Sequence, residues 1–440
     1  MSLTDRRGLL AGLGATALMP VTFRPAAAQV VQSVTVQAKA EPVVLTPPAK
    51  GTGSVHRALA SAWTLRGPGP ILRFKRGGSL DIALRNDLPV PVALSLRGID
   101  GAASSEPLAA RPAVAAGTTA NLSVALRHAG TSLCDVRLLA DGAAQPSRPL
   151  PLVVQEQEAV PVDRDEVLLV EDWRLGTDGT VIAAGVDAGD AAIVFTVNGE
   201  IGPEIRTRPH ERLRLRIINA CQRAAIAIKV EGVEIRVMAM DGEPTEPFWA
   251  RNGALVLAPG SRVDGFLDAT TPAGSRAAIL LSDGKEARPI AYLATANEPP
   301  LRPAPLPPAP PLPSNGLPER LDLKNAQRID LPLSGPDWVR PTSFTASFEP
   351  AFRAKTGRTV VLALANRAPT ATVFHLHGHH FRLLDRLDDG WKPFWLDTLA
   401  VEPGQTQRIA FAAEYAGRYL LESVATDWAA PRFVRWYEVA

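Results

Sequence analysis

The chain has 440 residues, 46% of them hydrophobic and 21% charged, a composition typical of a globular protein with two to four domains. The 34 glycines, 40 prolines and 6% aromatic residues favour turns and short strands over long helices. Residues 1–28 hold three Arg and one Asp of the 47 basic and 45 acidic residues, so the remainder carries 44 of each. This balance excludes the electrostatic footprint of a protein that binds nucleic acid or an anionic membrane.

The N-terminal segment has the features of an export signal. Arg6 and Arg7 precede a weakly apolar stretch rich in Gly, Ala and Leu, and the alanines of 26–28 provide an A-x-A cleavage pattern. We predict that residues 1–28 are a twin-arginine signal peptide and that the protein is located in the periplasm. An ordinary secretory signal or a disordered tail is the alternative. Since no other apolar run is long enough to span a membrane, no span is expected in the mature chain.

Three sets of landmarks recur along the rest of the chain. A strand-like run ends in asparagine in SLDIALRN, RLRLRIIN and TVVLALAN, and each run is followed by a turn glycine and by an Ala-Gly pair that opens another strand. Successive copies of both glycines are 143 or 144 residues apart. The landmarks are Asn86, Asn219 and Asn366; Gly117, Gly260 and Gly404; and Gly130, Gly274 and Gly417. This spacing predicts three copies of one all-β unit, each a sandwich of about seven or eight strands.

The boundaries of the units follow from these landmarks and from a proline-rich segment. Nine of the fifteen residues 299–313 are prolines, which is typical of a semi-rigid, extended linker. Within unit two, apolar residues alternate with arginines over 212–217, which indicates a strand with a solvated arginine face. The predicted segments are unit one at 29–155, unit two at 156–296, the linker at 297–316 and unit three at 317–440.

Each unit also contains long segments with a distinctive pattern. Unit three contains FHLHGHHFRLL at 374–384 and WLDTLAVEPGQTQRIAFAAEYAGRYLL at 395–421. Unit two contains VNGEIGPEIRTRPHERLRLRIINA and MDGEPTEPFWARNGALVLAPGSRVD, and unit one contains GPGPILRFKRGGSLDIALRNDLPVPVALSLRG. These segments resemble the last, middle and first domains of the three-domain multicopper oxidases, the laccase-like family. The resemblance implies an all-β fold of three cupredoxin-like Greek-key β-sandwich domains in tandem.

The family implied by this resemblance carries four coppers. One is held by a cysteine thiolate and two histidines, and the others form a cluster held by eight histidines, ligands that suit copper's softness and geometry. The chain has only seven histidines, of which His56, His128 and His210 lie outside the family's motif positions. Its two cysteines fall in units one and two, whereas the family's thiolate lies in the last domain. The resemblance therefore implies the ancestry of a four-copper oxidase without its ligand set.

Most of the ligand positions implied by the resemblance hold other residues. His375 and His377 match two ligands of the three-copper cluster. The replaced positions are Ser95, Arg97, Asp135, Arg137, Thr372, Glu422, Ser423, Val424, Trp428 and Phe433. If the fold brings the four charged members together, their charges sum to zero. They would then form a buried ion-pair network that fills the former cluster, or they would be solvated at an opened interface.

Three histidines of unit three are candidate metal ligands. His375, His377 and His379 alternate and would share one strand face, unless Gly378 marks a bulge. Imidazoles arranged in this way can bind one Cu²⁺ or Zn²⁺ ion. The alternative is that they are core or interface histidines bonded to backbone carbonyls.

The two cysteines have two alternative states in an oxidising compartment. Cys221 lies where some laccases carry a cysteine that is bonded to the first domain, so the resemblance implies an inter-domain disulfide between Cys134 and Cys221. Two separate buried thiols are the alternative, because the sequence gives no distance between the residues.

These observations lead to two hypotheses for function. The first is a non-catalytic periplasmic scaffold that binds another periplasmic protein, with degenerate copper sites and no cofactor. In export signal, three-domain layout and missing ligands it is similar to a copper-free relative of these oxidases that supports the cell-division machinery. The alternative is a copper-binding protein or oxidoreductase with a single metal at His375 and His377. No phosphate-binding loop, nucleophile elbow or C-x-x-C motif indicates another chemistry.

Overall fold

Strands recur throughout the part of the chain that the structure describes, and many of them alternate apolar and polar residues. The computed structural model describes residues 31–45, 58–385 and 390–440. Within these ranges the chain forms thirty strands and four short 3₁₀ helices, and none of the helices is long and apolar enough to cross a membrane. The all-β prediction is confirmed. The predicted signal peptide, residues 1–28, lies outside the described residues.

The first nine strands form two sheets around one core. The strands are β1 Val31–Leu45, β2 Ala58–Arg66, β3 Leu72–Lys75, β4 Ser79–Asn86, β5 Ser95–Arg97, β6 Thr119–Ala125, β7 Gly130–Asp135, β8 Ser147–Arg148 and β9 Leu150–Gln155, with 3₁₀ helices at Ala103–Ser105 and Arg137–Leu139. Their hydrogen-bonded orders are β6-β4-β1-β2-β8 and β3-β9-β7-β5. Apolar side chains from both sheets, among them Leu84 and Leu152, pack between them.

The next twelve strands form a second pair of sheets. The strands are β10 Arg164–Leu175, β11 Val181–Ile182, β12 Ala192–Val197, β13 Glu204–Thr207, β14 Arg212–Asn219, β15 Ile226–Val230, β16 Arg236–Met240, β17 Glu243–Trp249, β18 Ala254–Leu257, β19 Arg262–Asp268, β20 Arg276–Ser282 and β21 Ala287–Thr295, with a 3₁₀ helix at Arg251–Gly253. Their orders are β11-β10-β14-β19-β16-β17, with β12 also paired to β10, and β13-β21-β20-β15-β18. Leu215 and Ile279 lie in the core between these sheets.

The last nine strands form the third pair of sheets. The strands are β22 Gln327–Pro332, β23 Arg353–Ala354, β24 Thr359–Ala365, β25 Thr372–Leu376, β26 Arg382–Leu383, β27 Thr398–Val401, β28 Thr406–Ala412, β29 Gly417–Ala425 and β30 Arg432–Val439, with a 3₁₀ helix at Pro341–Ser343. Their orders are β22-β24-β28-β26 and β23-β30-β29-β25-β27. Leu362, Phe374 and Leu421 belong to the third core.

One hydrogen-bond pattern recurs in the three sandwiches and explains the asparagine landmarks. Each asparagine is buried at the end of its strand, where Nδ2 donates to two backbone carbonyls and Oδ1 accepts the backbone N–H two residues further on. The carbonyl acceptors are those of Val90 and Val114 for Asn86, Ala224 and Leu257 for Asn219, and Thr370 and Val401 for Asn366. The side chain thus satisfies buried backbone groups that the following loop would leave without partners.

The turn glycines complete the same motif. Gly117, Gly260 and Gly404 donate their N–H groups to the backbone carbonyls of the three asparagines over 2.7 to 3.0 Å. All three have φ between 71° and 92°, in the left-handed region that side chains with a Cβ rarely enter. The recurrence of the glycines therefore has a conformational cause.

The proline-rich segment is docked on the second sandwich. The described chain contains no strand between Thr295 and Gln327. Ala309 and Leu312 are buried in a small apolar cluster with Phe266 of β19. The segment is extended, as its composition predicts, but it packs against a sheet along part of its length.

The arginines of β14 are buried, which corrects the interpretation of a solvated face. Arg214 and Arg216 are each 1% exposed. Both donate to Asp264 of the adjacent strand β19, over 2.6 and 2.9 Å, and Arg216 also donates to the hydroxyl of Thr131 in β7 over 2.9 Å. This face of the sheet is therefore a polar interface with the first sandwich, and each buried charge has a carboxylate partner.

We expect Asn366→Ala to lower the free energy of unfolding by about 2 kcal/mol or more, because it leaves buried backbone groups without hydrogen bonds. The exposed Asn121 of β6 provides the control, and Asn121→Ala should change stability by less than about 0.5 kcal/mol. Urea unfolding of both variants measures the difference. Equal effects of the two substitutions would contradict the motif's role.

Candidate functional site

The candidate site lies where strands of the first and third sandwiches meet. β5 pairs with β7, which places Arg97 near Asp135. β25 pairs with β29 in a register that sets His375 opposite Glu422. Both strands of the second pair are buried over most of their length. The charged side chains therefore project into an interface that is closed to water.

The four charged replacements form a continuous ion-pair network. Arg97 donates from Nη2 to Glu422 Oε1 over 2.7 Å, and its Nε lies 3.6 Å from Asp135 Oδ2. Arg137 donates from Nε to the same Asp135 oxygen over 2.8 Å. The exposed fractions of all four residues are 6% or less. Of the two alternatives drawn from the sequence, the buried network describes these contacts and the solvated interface does not.

Two further residues complete the network and were missed by sequence reasoning. Arg432 of β30 donates from Nη1 to Glu422 Oε2, so Glu422 lies between two guanidinium groups. Burial alone would raise the pKa of Glu422, but Arg97 and Arg432 hold it well below its ordinary value. Glu106 is the second missed residue, and it contacts His377 at 2.7 Å. Neither residue stands in a motif, so no sequence signal separates it from other charged residues.

The two retained histidines differ in charge: His377 is protonated and His375 is neutral. His377 faces carboxylates with both ring nitrogens, Glu106 at Nδ1 and Glu422 at Nε2, the latter over 2.8 Å. Carboxylate oxygens only accept, so the ring holds two N–H donors. Burial alone would lower the pKa of His377, but the two carboxylates raise it to about 9. Burial and the nearby Arg97 guanidinium lower the pKa of His375 to about 4, so this ring is neutral.

The structure follows the exception that the sequence allowed, in which Gly378 interrupts the strand, so His379 does not share a face with His375 and His377. β25 ends at Leu376, and Gly378 adopts a φ of +74°, which breaks the two-residue alternation. The His379 ring lies in the core of the third sandwich, with Nδ1 bonded to Tyr437 Oη over 2.7 Å. The third potential ligand beside His375 and His377 is instead Glu422, because ligand atoms of these three residues lie within 4.8 Å of one another.

Of the two alternatives for Cys134 and Cys221, the structure has two buried free thiols and not the disulfide. Cys134 lies in the core of the first sandwich and Cys221 in the core of the second, because each side chain points between its own pair of sheets. Burial raises the pKa of Cys134 to about 12 and the pKa of Cys221 well above its ordinary value. Neither residue is a thiolate near neutral pH.

The remaining replaced positions make structural contacts. Thr372 donates to the side chain of Asn366, Ser423 to the carbonyl of Leu333, and Trp428 Nε1 to the carbonyl of Ala183. The others are buried or partly buried: Ser95 in β5, Val424 in β29 and Phe433 in β30. Between Arg97, His375 and Val424 remains a cavity of about 10 Å³, room for about one water molecule.

Arg262 anchors this site to the second sandwich. Its guanidinium donates to both oxygens of Asp397 over 3.1 and 2.6 Å, and to the carbonyl of Thr131 over 3.0 Å. The backbone carbonyl of Asp397 is in turn 3.0 Å from His375 Nδ1. Asp241 accepts the backbone N–H groups of Asp397 and Arg262. Both aspartates therefore have a structural role.

Comparisons with known proteins agree with this architecture. Two family models, both described as multicopper oxidase, match residues 164–288 and 318–440. Multicopper oxidase MmcO of Mycobacterium tuberculosis is 25% identical over 410 residues, 80% of this chain and 78% of the relative. Laccase-8 of Oryza sativa is 26% identical over 239 residues, 47% of this chain and 41% of the relative.

Solved structures show the same fold. A multicopper oxidase from Pseudomonas thermotolerans superposes with a TM-score of 0.76 at 24% identity, covering 94% of this chain and all of that one. Lac15 from a marine microbial metagenome has a TM-score of 0.73 at 25% identity, covering 93% of this chain. The class defined by fold and site is that of tandem cupredoxin-like β-sandwich proteins. Within this class, the chain belongs to the laccase-like multicopper oxidase family.

We expect Glu422→Ala to destabilise the protein by about 3–5 kcal/mol, because it leaves Arg97 and Arg432 buried without their carboxylate. Glu349→Ala is the matched control: Glu349 pairs with Arg353, but its side chain is 83% exposed. That substitution should cost less than about 1 kcal/mol. Thermal or urea unfolding compares the two variants, and unchanged stability in Glu422→Ala would refute the network's energetic role.

We also expect Glu106→Gln to alter the pH dependence of stability. The pKa of His377 is raised from 6.5 to about 9 on folding, so its contribution is fully present below pH 6.5 and is lost as pH rises through about 9. Glu106→Gln removes part of this stabilisation. Its destabilisation relative to the wild type should therefore be largest below pH 6.5 and should shrink toward alkaline pH, as measured by thermal unfolding. A constant difference across that range would contradict the ion pair.

Proposed function

We propose that this multicopper-oxidase-like protein is a non-catalytic scaffold in the periplasm, exported by the twin-arginine route and bound there to another periplasmic protein. The observation that carries the proposal is the buried network of Arg97, Arg137, Glu422 and Arg432. It occupies the place that the family resemblance assigns to the three-copper cluster. Support for cell division or the cell envelope, as in the copper-free relative, is the specific role that we propose.

The donor set at this place does not fit the family's coppers. Seven histidines in the chain cannot supply ten ligands, and the two cysteines are buried thiols in other cores. At the retained pair, His377 holds two N–H donors between carboxylates, so it offers no lone pair to a metal. Two guanidinium groups beside Glu422 add positive charge that repels a further cation. We therefore derive no copper-dependent step.

A role in binding a partner is supported by apolar exposure on the second sandwich. Phe248 and Trp249 at the end of β17 are 37% and 56% exposed, and Val256 of β18 is 75% exposed. Large aromatic side chains left in solvent are typical of protein interfaces. By contrast, Trp395, Trp428 and Trp436 of the third sandwich are buried. The second sandwich is therefore where we would place the partner.

A single copper at His375 and His377 is the second candidate function. It is favoured by the proximity of ligand atoms of His375, His377 and Glu422, all within 4.8 Å of one another. To bind copper, His377 would have to lose a proton and Glu422 would have to release at least one guanidinium partner. The cost of these changes makes the network the preferred interpretation.

Metal content separates the two functions. We expect protein exported through its own signal in copper-supplemented cells to contain less than about 0.1 copper per chain by mass spectrometry, and to lack phenol-oxidising activity. The double variant His375→Ala/His377→Ala is measured beside it. About one copper per chain that disappears in the double variant would overturn the scaffold and establish a single-site copper protein.

A further inference from the structure

A second buried cluster of potential metal ligands lies where the three sandwiches meet. It comprises Asp100 after β5, His128 before β7, Glu243 at the start of β17 and His380 after β25. The side chains are 3%, 8%, 3% and 0% exposed. The cluster lies outside the site described above, and no function assigned so far uses it.

Close backbone contacts bring these residues together. Gly101 donates its N–H to the carbonyl of Gly378 over 3.0 Å, which holds the loop of Asp100 against the loop of His380. Gly130 packs so closely on Gly242 that a Cβ at Gly130 would lie 1.9 Å from the Gly242 carbonyl oxygen. That contact holds the loop of His128 against the turn before Glu243. The cluster is therefore fixed by the fold of three sandwiches.

Ligand atoms of Asp100, His128 and His380 lie within 4.8 Å of one another, and Glu243 lies beside the two histidines. Asp100 Oδ2 lies 2.9 Å from His380 Nδ1 and 3.6 Å from His128 Nδ1. Glu243 Oε1 lies 2.8 Å from His128 Nδ1 and 4.0 Å from His380 Nδ1. Ligand atoms around a four-coordinate zinc ion are about 3.3 Å apart, given metal–ligand bonds of about 2.0–2.2 Å. Small side-chain movements would therefore accommodate an ion.

Hydrogen bonds outside the cluster orient two of the ligands. His380 donates from Nε2 to the carbonyl of Asp241 over 2.9 Å and faces the two oxygens of Asp100 with Nδ1 over 2.9 and 3.0 Å, so Nδ1 has to release its proton to bind an ion. Glu243 Oε2 accepts from Asn315 over 3.0 Å, which leaves Oε1 as its free atom. Such outer contacts are typical of metal-binding histidines and carboxylates.

Two of the inward-facing atoms have no hydrogen bond. His128 Nδ1 and Glu243 Oε1 are 2.8 Å apart but are not aligned as donor and acceptor, and each is buried without another hydrogen-bond partner. Unsatisfied groups of this kind are costly in a protein interior. A cation between these atoms would satisfy both.

We propose that Asp100, His128, Glu243 and His380 form a binding site for one divalent cation of the zinc type at the junction of the three sandwiches. Two imidazole nitrogens and two carboxylate oxygens suit zinc, whereas calcium and magnesium prefer oxygen ligands alone. Asp100 and His128 belong to the first sandwich, Glu243 to the second and His380 to the third. The ion would therefore cross-link all three and stabilise their arrangement.

The test is a titration of the full chain, after chelation and dialysis, with zinc chloride by calorimetry. We expect one zinc per chain with a Kd in the micromolar range or tighter. At about 100 times the Kd, the thermal midpoint should rise by about 3 °C. Substitution of cobalt for zinc should give the visible absorption of a four-coordinate ion. If calorimetry, thermal unfolding and cobalt absorption all show no binding to the wild type, the proposal is wrong.

Variants locate the ion. His128→Gln should retain the fold, since a glutamine amide can donate to Glu243 in place of the 2.8 Å contact of His128 Nδ1, and should weaken zinc binding by at least about 10-fold. His210→Gln is the matched control, because His210 bonds to the Arg302 carbonyl away from the cluster. His375→Ala/His377→Ala should bind zinc like the wild type. Unchanged zinc affinity in a folded His128→Gln, or loss of zinc binding in a folded double variant, would contradict the proposal.

Discussion

The guanidinium group of Arg262 is the contact on which the arrangement of the three sandwiches depends. It donates to the carbonyl of Thr131 in the first sandwich, to the carbonyls of Gly260 and Asp241 in the second, and to both oxygens of Asp397 in the third. These contacts use all five of its N–H donors. Removing a partner from a buried charge is costly, so this one side chain favours a single arrangement of its partners in the three sandwiches.

Much of the fold could be predicted from the sequence, because the repeated residues are ones that the local backbone requires. A buried asparagine that closes a loop and a glycine at positive φ have few substitutes, so both recur at constant spacing. The burial of Arg214 and Arg216 could not be predicted in the same way. Alternating arginines are typical of a solvated strand face. Here they are buried because Asp264 lies on the adjacent strand, and the local sequence pattern does not reveal which strands pair.

The sequence predicted some residues of the candidate site but not the residues that complete its ion-pair network. Motif positions brought Arg97 and Glu422 into one hypothesis, and they are in contact. Glu106 lies in a loop and Arg432 at the start of β30, and no sequence motif marks either residue as part of the site. The separation of His379 from the other two histidines has a different origin, because a single backbone angle at Gly378 redirects every side chain that follows it.

The two buried clusters differ in whether their side chains could hold a metal ion. In the network around Glu422, the carboxylates are already paired with cationic side chains of the chain itself, so they need no added cation. In the cluster of Asp100, His128, Glu243 and His380, the donors are imidazoles and carboxylates, which can exchange protons for a cation. If the protein is a scaffold, guanidinium groups take the place that the family resemblance assigns to copper. Any metal dependence of the fold then resides at the junction of the three sandwiches.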